Sequence, residues 1–290
     1  MRQITPLTME VSLHRAGQKE YSITIRLKNS GAQPVLVNER LLPWNYPQSL
    51  HMHAQSLRRY TDILVEATQR EEPGKSVVPL GVGEGLDGSF SLNERFPALG
   101  EVLEDENDAV SIDWVCRLSV PVTCPDGPGG TFLIRRTRSH EGGASTEKEG
   151  PTLQMDVSLL NMGKHNYKLH VRLTNKSAAS VTVGGTFPWH YTYDLPVRAM
   201  RLNDIPGVIE QSLGPERPPI RPKVKMNRGE FVEGDLELNR RFINLHNELF
   251  EHDVIIFWTC NLLSVNVSCE HGSGGAFLLQ RGKEGDQAGF

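Results

Sequence analysis

Apolar and polar residues alternate strictly in two seven-residue segments, Tyr21–Leu27 and Tyr167–Leu173. Alternation with a period of two is typical of a β-strand that buries one face. A short turn containing Asn and Ser follows each segment, and a second apolar run, Val35–Val37 or Val181–Val183, comes next. The pattern therefore predicts short strands separated by tight turns.

The two longest apolar stretches, Val110–Val122 and Asp253–Val267, each predict one long strand. A Gly-rich turn follows each stretch and leads into a further apolar run, so we expect a β-hairpin at both places. Each long strand carries one tryptophan, Trp114 or Trp258, which we expect to fill a core.

The pattern occurs twice because the sequence itself repeats. Fourteen residues, Gly83–Phe96, align without a gap with Gly229–Phe242 at a shift of 146 residues. Matching segments on both sides keep the shift between 144 and 146. After each copy of the block, apolar residues fall at helical spacing and predict a short helix or a turn that joins two strands. We interpret the chain as an internal duplication of one domain-sized unit.

Between the copies lies a polar stretch dominated by Gly, Ser and charged residues, which is typical of a linker. The predicted division is copy 1 at 1–137, linker at 138–151, copy 2 at 152–283 and a polar tail at 284–290. Several short strands per unit predict an all-β chain of two tandem immunoglobulin-like β-sandwiches. The strand Tyr21–Leu27 carries no cysteine, so the inter-sheet disulfide of antibody domains is not expected.

Composition limits the function classes. The chain of 290 residues has a net charge of −4, with 14 basic and 17 acidic residues in 1–137 and 15 basic and 13 acidic residues in 152–283. Neither half has the strongly basic surface expected of a nucleic-acid binder. No apolar run approaches the roughly 20 residues of a membrane span. The segment Met1–Met9 lacks the hydrophobic core of a signal peptide, so we expect a cytoplasmic protein without a membrane or nucleic-acid partner.

The cysteines lie in two pairs, eight or nine residues apart along a predicted strand and its turn. Strand residues advance by about 3.3 Å each, which places such a pair much farther apart than the roughly 6 Å that a disulfide spans. Free thiols are therefore expected, in keeping with a reducing compartment. The residues are Cys116, Cys124, Cys260 and Cys269.

Four segments of copy 2 follow one another in a recognisable order: Asn175–Val183, Glu216–Pro219, Met226–Glu230 and Gly234–Leu238. Their order resembles the immunoglobulin-like domains that precede the catalytic domain in bacterial deuterolysin-type metallopeptidases. It is also similar to the small intracellular proteinase-inhibitor sandwiches. The resemblance covers most of each copy and implies an accessory, inhibitory or partner-binding role without catalysis. Two tandem copies depart from the single domain of that family.

No motif for catalysis or cofactor binding is present. His140-Glu141 is followed by Ala144 where a metallopeptidase needs a second histidine. No nucleophile elbow, phosphate loop or dinucleotide fingerprint occurs. The Gly-rich Gly81–Gly85 aligns with Asn227–Glu230 and therefore predicts a turn before a strand. We predict that the chain is not an enzyme and has no cofactor.

Histidines offer only a partial metal site. His51 and His53 are placed to project from one face of a strand, which would make half of a metal site. Copy 2 has no histidine near Arg198, so we expect two solvated loop histidines and no metal site. His246 and His252 are likewise expected at the surface.

Two charge runs distinguish the copies. The first is an acidic tip in copy 1, formed by Glu101, Glu104, Asp105, Glu106 and Asp108. The second is a Pro-rich basic segment in copy 2, formed by Arg217, Arg221, Lys223, Lys225 and Arg228. Both can be solvated loops, or each can complement a charged surface. Prolines favour an extended edge strand in the basic segment.

The sequence predicts a non-catalytic protein-binding module, with the partner site on the basic segment. An inhibitor or immunity protein acting on a peptidase or toxin is one specific form of this prediction. The alternative is a structural or assembly component built from repeated sandwiches, and a hydrolase is a third possibility.

Overall fold

The structure is a computed structural model that describes most of both predicted copies. The described residues are 7–17, 19–58, 63–64, 66, 74–105, 108–116, 122–123, 129–135, 152–185, 187, 189, 195–202, 207–209, 211, 221–260, 266–269 and 274–281. The chain divides into two compact units, Met1–Arg138 and Ser139–Phe290. The predicted linker lies outside the described residues, and the predicted domain boundaries stay a prediction.

Unit 1 consists of strands joined by turns and short helices. Its strands are β1 (Leu7–Arg15), β2 (Tyr21–Asn29), β3 (Val35–Asn38), β4 (Leu50–Ser56), β5 (Ile63–Leu64), β6 (Val77–Leu80), β7 (Gly85–Ser91), β8 (Ala109–Cys116), β9 (Val122–Thr123) and β10 (Gly129–Arg135). Its helices are α1 (Leu92–Arg95) and α2 (Leu99–Val102), with 3-10 turns at Glu39–Leu41 and Pro47–Ser49.

Two four-stranded sheets enclose the core of unit 1. Their strand orders are β7-β2-β1-β9 and β10-β8-β4-β5, and a separate two-stranded sheet pairs β3 with β6. Ile23 and Ile25 from the first sheet and Ile112 from the second belong to one buried cluster, so the unit is a β-sandwich. Each such side chain stabilises the fold by about 1.5–3 kcal/mol on burial. Immunoglobulin domains divide their strands A, B, E and C, F, G between two sheets in the same way.

Unit 2 follows the same plan. Its elements are β11 (Thr152–Asn161), β12 (Tyr167–Asn175), β13 (Val181–Gly185), β14 (Val197–Leu202), β15 (Gly207–Val208), β16 (Arg221–Met226), β17 (Phe231–Glu237), α3 (Leu238–Arg241), α4 (Leu245–Glu251), β18 (Asp253–Thr259), β19 (Asn266–Cys269) and β20 (Gly274–Leu279). The sheet orders are β17-β12-β11-β19, β15-β14-β18-β20 and β13-β16. Every strand pair of unit 1 therefore recurs in unit 2 with its numbers raised by ten.

The all-β fold class predicted from the sequence is confirmed. Both alternating segments are strands, β2 and β12, and Trp114 and Trp258 lie in the cores of their units with 5% exposure. The helix predicted after each copy of the repeated block is present as α2 or α4. The origin of the two units by duplication stays a prediction.

The prediction of one long strand at each hairpin was wrong. β8 ends at Cys116 and β18 ends at Thr259, and the residues that follow contribute β9 and β19 to the other sheet. β9 pairs with β1 in parallel, and β19 pairs with β11 in the same manner. This pairing gives hydrogen-bond partners to the backbone at the start of β1 and β11 and divides each apolar stretch between the two sheets.

The expectation that the histidine pair lies in a solvated loop was wrong. His51 and His53 lie within β4 and are half-buried. Among the described residues, no group of three or more His, Cys, Asp or Glu side chains could hold a metal ion. Cys116 is half-buried, Cys260 is buried, and neither forms a disulfide, whereas the side chains of Cys124 and Cys269 lie outside the described part.

Candidate functional site

The basic segment predicted as a partner site forms β16 and the turn after it. Arg217 lies outside the described residues, and only the backbone of Arg221 is described. Lys223 and Lys225 lie within the strand, and Arg228 lies in the turn that follows. All three side chains are exposed on the surface of unit 2.

β16 pairs antiparallel with β13, and the two strands form a ribbon with two different faces. Met226 is buried opposite Val181, and both belong to a small apolar cluster. Lys225 lies opposite Thr182, and both are exposed. Because side chains alternate along a strand, Lys223 and Lys225 project from the outer face of this β13–β16 ribbon.

The three cations have no counter-ion in the part of the chain that the structure describes. Glu230 is the carboxylate nearest in sequence to Arg228, but it closes the turn instead. Its Oε2 accepts from Asn227 N at 2.6 Å and its Oε1 accepts from Asn227 Nδ2 at 3.2 Å. These hydrogen bonds from Asn227 lower the pKa of Glu230, because they stabilise the ionised form.

The predicted Gly-rich turn is confirmed in both units. Gly83 has φ +80° and Gly229 has φ +81°, which are left-handed backbone conformations that glycine adopts without strain. Gly83 N donates to Asn29 O at 2.9 Å, and Gly229 N donates to Asn175 O at 2.8 Å. These turns connect β6 to β7 and β16 to β17.

The equivalent ribbon in unit 1, β3–β6, has an apolar outer face. Val77 and Pro79 occupy the positions of Lys223 and Lys225, and Leu36 occupies the position of Thr182. Leu36 is 66% exposed and Val77 is 54% exposed. The two ribbons therefore share a backbone plan and differ in the chemistry that they present to solvent.

The acidic tip of unit 1 is partly paired within its own unit. Glu104 Oε1 is 2.8 Å from Lys19 Nζ, and Asp105 forms an ion pair with Arg58. Asp108 is buried and accepts from Ser56 Oγ at 2.6 Å. Glu101 is exposed and Glu106 lies outside the described residues. The acidic tip is therefore a weaker candidate for a partner site than the basic segment.

A second set of charges in unit 2 was not singled out in the sequence analysis. Three basic residues alternate along β12 and lie opposite three acidic residues that alternate along β17; the register pairs are Lys168 with Glu237, His170 with Asp235, and Arg172 with Glu233. His170 Nδ1 is 2.8 Å from Asp235 Oδ1, and Arg172 Nη2 is 2.8 Å from Glu233 Oε2. We call these six residues the charge ladder. The alternation of its charges is visible in the sequence.

The remaining histidines contribute an aromatic contact. His246 is exposed, as expected, and its ring lies edge-on to His165 and Phe250 at centroid distances of 5.5 and 5.0 Å. The equivalents of His165 and Phe250 in unit 1 are Lys19 and Glu104, which form an ion pair. His252 is half-buried rather than fully exposed.

Comparisons with known proteins do not assign the chain to a family. No protein-family model matches it, and no curated protein matches its sequence. The partial N-terminal region of Enterococcal surface protein is similar at 10% sequence identity and a TM-score of 0.25, over 94% of each chain. A TM-score this low carries no argument about function. Within the described residues, no helix is long and apolar enough to cross a membrane.

Proposed function

We propose that the chain is a non-catalytic protein-binding module that contacts an acidic partner through the β13–β16 ribbon of unit 2. The observation that carries the proposal is the exposed set of Lys223 and Lys225 on that ribbon and Arg228 in the turn after it, for which the described residues supply no counter-ion. Other cations of unit 2, such as Lys168 and Arg172, already have carboxylate neighbours. A strip of positive charges attracts a negatively charged surface and raises the rate of encounter with it.

The difference between the two ribbons supports this assignment. Residues that two units need for folding are expected to match, as the buried tryptophans and turn glycines do. Lys223 and Lys225 do not match their equivalents Val77 and Pro79, although Val181–Val183 and Val35–Val37 pair with β16 and β6 in the same register. The β13–β16 ribbon differs only beyond this stretch, where its register shifts between Val183 and Gly185. The lysines are therefore not required by the ribbon itself.

Site-specific photo-crosslinking tests the proposal in the full chain. A photoreactive amino acid at Thr182 lies beside Lys225 without removing a cation, and the same substitution at Leu36 is the matched control in unit 1. In a lysate of the native cells, we expect a protein adduct at Thr182 and not at Leu36. We expect added salt to weaken the adduct, because salt screens exposed charges.

A charge reversal makes that test specific. Replacing Arg221, Lys223 and Lys225 with Glu should abolish the Thr182 adduct. The same charge change made at the exposed Lys28, Arg40 and Lys75 of unit 1 should leave it intact. An adduct that survives the first reversal, or no adduct at all, contradicts the proposal.

The narrower role, inhibition of a peptidase or toxin, rests on the family resemblance of the sequence alone. It predicts that the captured partner is an enzyme whose activity the purified chain reduces. An adduct between two copies of the chain would instead favour the alternative role of an assembly component.

A further inference from the structure

We infer that the outer edge of β16 binds its partner by strand addition, taking an extended segment with carboxylates at alternate positions. The inference rests on the proposed function, because it names how the ribbon binds and what the partner presents. It concerns the backbone edge of the strand as well as its charges.

The edge of β16 that faces away from β13 has no strand beside it among the described residues. β13 and β16 form a two-stranded sheet, and β13 is the only strand paired with β16 among the described residues. In an antiparallel pair, alternate residues direct their N–H and C=O groups away from the neighbour. Part of the backbone of β16 therefore faces outward and can pair with another strand. Pro222 lacks an N–H and can therefore donate no hydrogen bond to an added strand.

The charge ladder shows which strand would fit. On β12, Lys168, His170 and Arg172 alternate with inward-facing residues, as Lys223 and Lys225 do on β16. The neighbour of β12 is β17, which places a carboxylate opposite each of the three bases. Unit 2 thus already contains a basic alternating strand paired with an acidic alternating strand.

Within the described part of unit 2, β16 has no such neighbour. Its partner β13 consists of Val181, Thr182, Val183 and two glycines, so it offers no carboxylate to either lysine. Adjacent strands lie about 4.8 Å apart, which would bring carboxylates on an added strand beside Lys223 and Lys225. The partner chemistry that the edge fits is therefore an extended Glu-x-Glu or Asp-x-Asp segment.

Synthetic peptides test the backbone part of the inference on the full wild-type chain. The probe is an acetylated and amidated seven-residue peptide that alternates glutamate and valine, with its affinity measured by fluorescence anisotropy. The backbone amides of this peptide form two alternating frames, those of the glutamates and those of the valines. One N-methylated version blocks the first frame, and a second version blocks the other. Strand addition uses only one frame, so one version should bind about tenfold more weakly and the other should bind like the parent peptide.

A charge swap tests the side-chain part. The Lys223→Glu/Lys225→Glu variant should lose affinity for the glutamate peptide and gain affinity for a peptide that alternates lysine and valine. Its melting temperature should match that of the wild type, because both positions are exposed.

Three results would overturn the inference. Equal effects of the two N-methylated frames would show binding to the charges without strand addition, and the proposed function would still stand on its crosslinking result. The absence of binding by any acidic peptide would reject the edge as an acceptor. If Lys223→Val/Lys225→Val oligomerises while the wild type binds no peptide, the lysines serve to protect the edge from self-association.

Discussion

Asn175 is fully buried at the end of β12, and hydrogen bonds of its side-chain amide link three segments of unit 2. Its Nδ2 donates to Ala179 O at 2.9 Å and to Met226 O at 3.0 Å, and its Oδ1 accepts from Ser177 N at 2.9 Å. Met226 is the last residue of β16, so this asparagine holds the end of the candidate ribbon. Asn29 makes the equivalent bonds in unit 1.

Replacing Asn175 with alanine should lower the free energy of unfolding by about 2–4 kcal/mol, because buried backbone groups lose their partners. Chemical denaturation measures the change. Asn247→Ala, on the exposed side of α4, is the control and should stay within about 0.5 kcal/mol of the wild type. An equally small effect of Asn175→Ala would show that water replaces the asparagine.

Gly234 is a second position where one residue type is needed. A Cβ added there would lie 2.3 Å from Cε2 of Trp189, and one added at Gly88 would lie 2.0 Å from Cδ2 of Trp44. Gly234→Ala should therefore destabilise unit 2 by about 1–3 kcal/mol through overpacking. Thermal unfolding followed by circular dichroism measures this loss.

Gly100 provides the matched control. It lies in α2, and its Cβ would meet only Asn93 Nδ2 at 4.0 Å. Gly100→Ala should be neutral or should stabilise the helix by up to about 1 kcal/mol. If Gly234→Ala is as mild as Gly100→Ala, the tryptophan is not packed against the glycine.

At the scale of elements, the turn between β16 and β17 should make stability depend on pH. The hydrogen bonds from Asn227 lower the pKa of Glu230, so the ionised carboxylate stabilises the folded turn. That stabilisation is present above the unfolded-state pKa and is lost as the pH falls through the lower folded-state pKa. NMR titration should find a pKa for Glu230 below the usual glutamate range. Glu230→Gln should remove this part of the pH dependence, and an ordinary pKa would contradict the turn geometry.

The sequence predicted the elements that have a clear local pattern. β2 and β12 were found because their alternation records one buried face, and the two Gly-rich turns were found because the repeated block marks them. β9 and β19 were missed, since their pairing with β1 and β11 joins residues more than 100 positions apart. Alternation cannot show at which residue a strand leaves one sheet for the other.

The buried asparagines were missed for a related reason. Asn175 bonds to Met226, which is 51 residues away in sequence, and Asn29 bonds to Leu80 over the same separation. A polar residue at the end of an alternating segment suggests only a turn. Its occurrence at the same position of both copies was the available signal. The candidate site was predicted in part. The run of basic residues is visible in the sequence, whereas the pairing of β16 with β13 decides that Lys223 and Lys225 lie on the exposed face of a strand.

At the scale of the whole molecule, each unit has its own buried core. The main cluster of unit 1 contains residues of unit 1 alone, and the clusters of unit 2 contain residues of unit 2 alone. Residues 1–140 and 150–290, expressed separately, should therefore each give a dispersed β-type NMR spectrum. An unfolded spectrum from either half would show that its core needs the other half.

We propose that the β13–β16 ribbon steers an acidic partner onto unit 2. The most direct measurement is the association rate of the crosslinked partner, once purified, with the full chain over a range of ionic strengths. We expect Arg221→Glu/Lys223→Glu/Lys225→Glu to slow association and to reduce the dependence of the association rate on salt. The matched reversal of Lys28, Arg40 and Lys75 should change neither quantity. Association rates that are unchanged by the first reversal at every ionic strength would contradict the proposal.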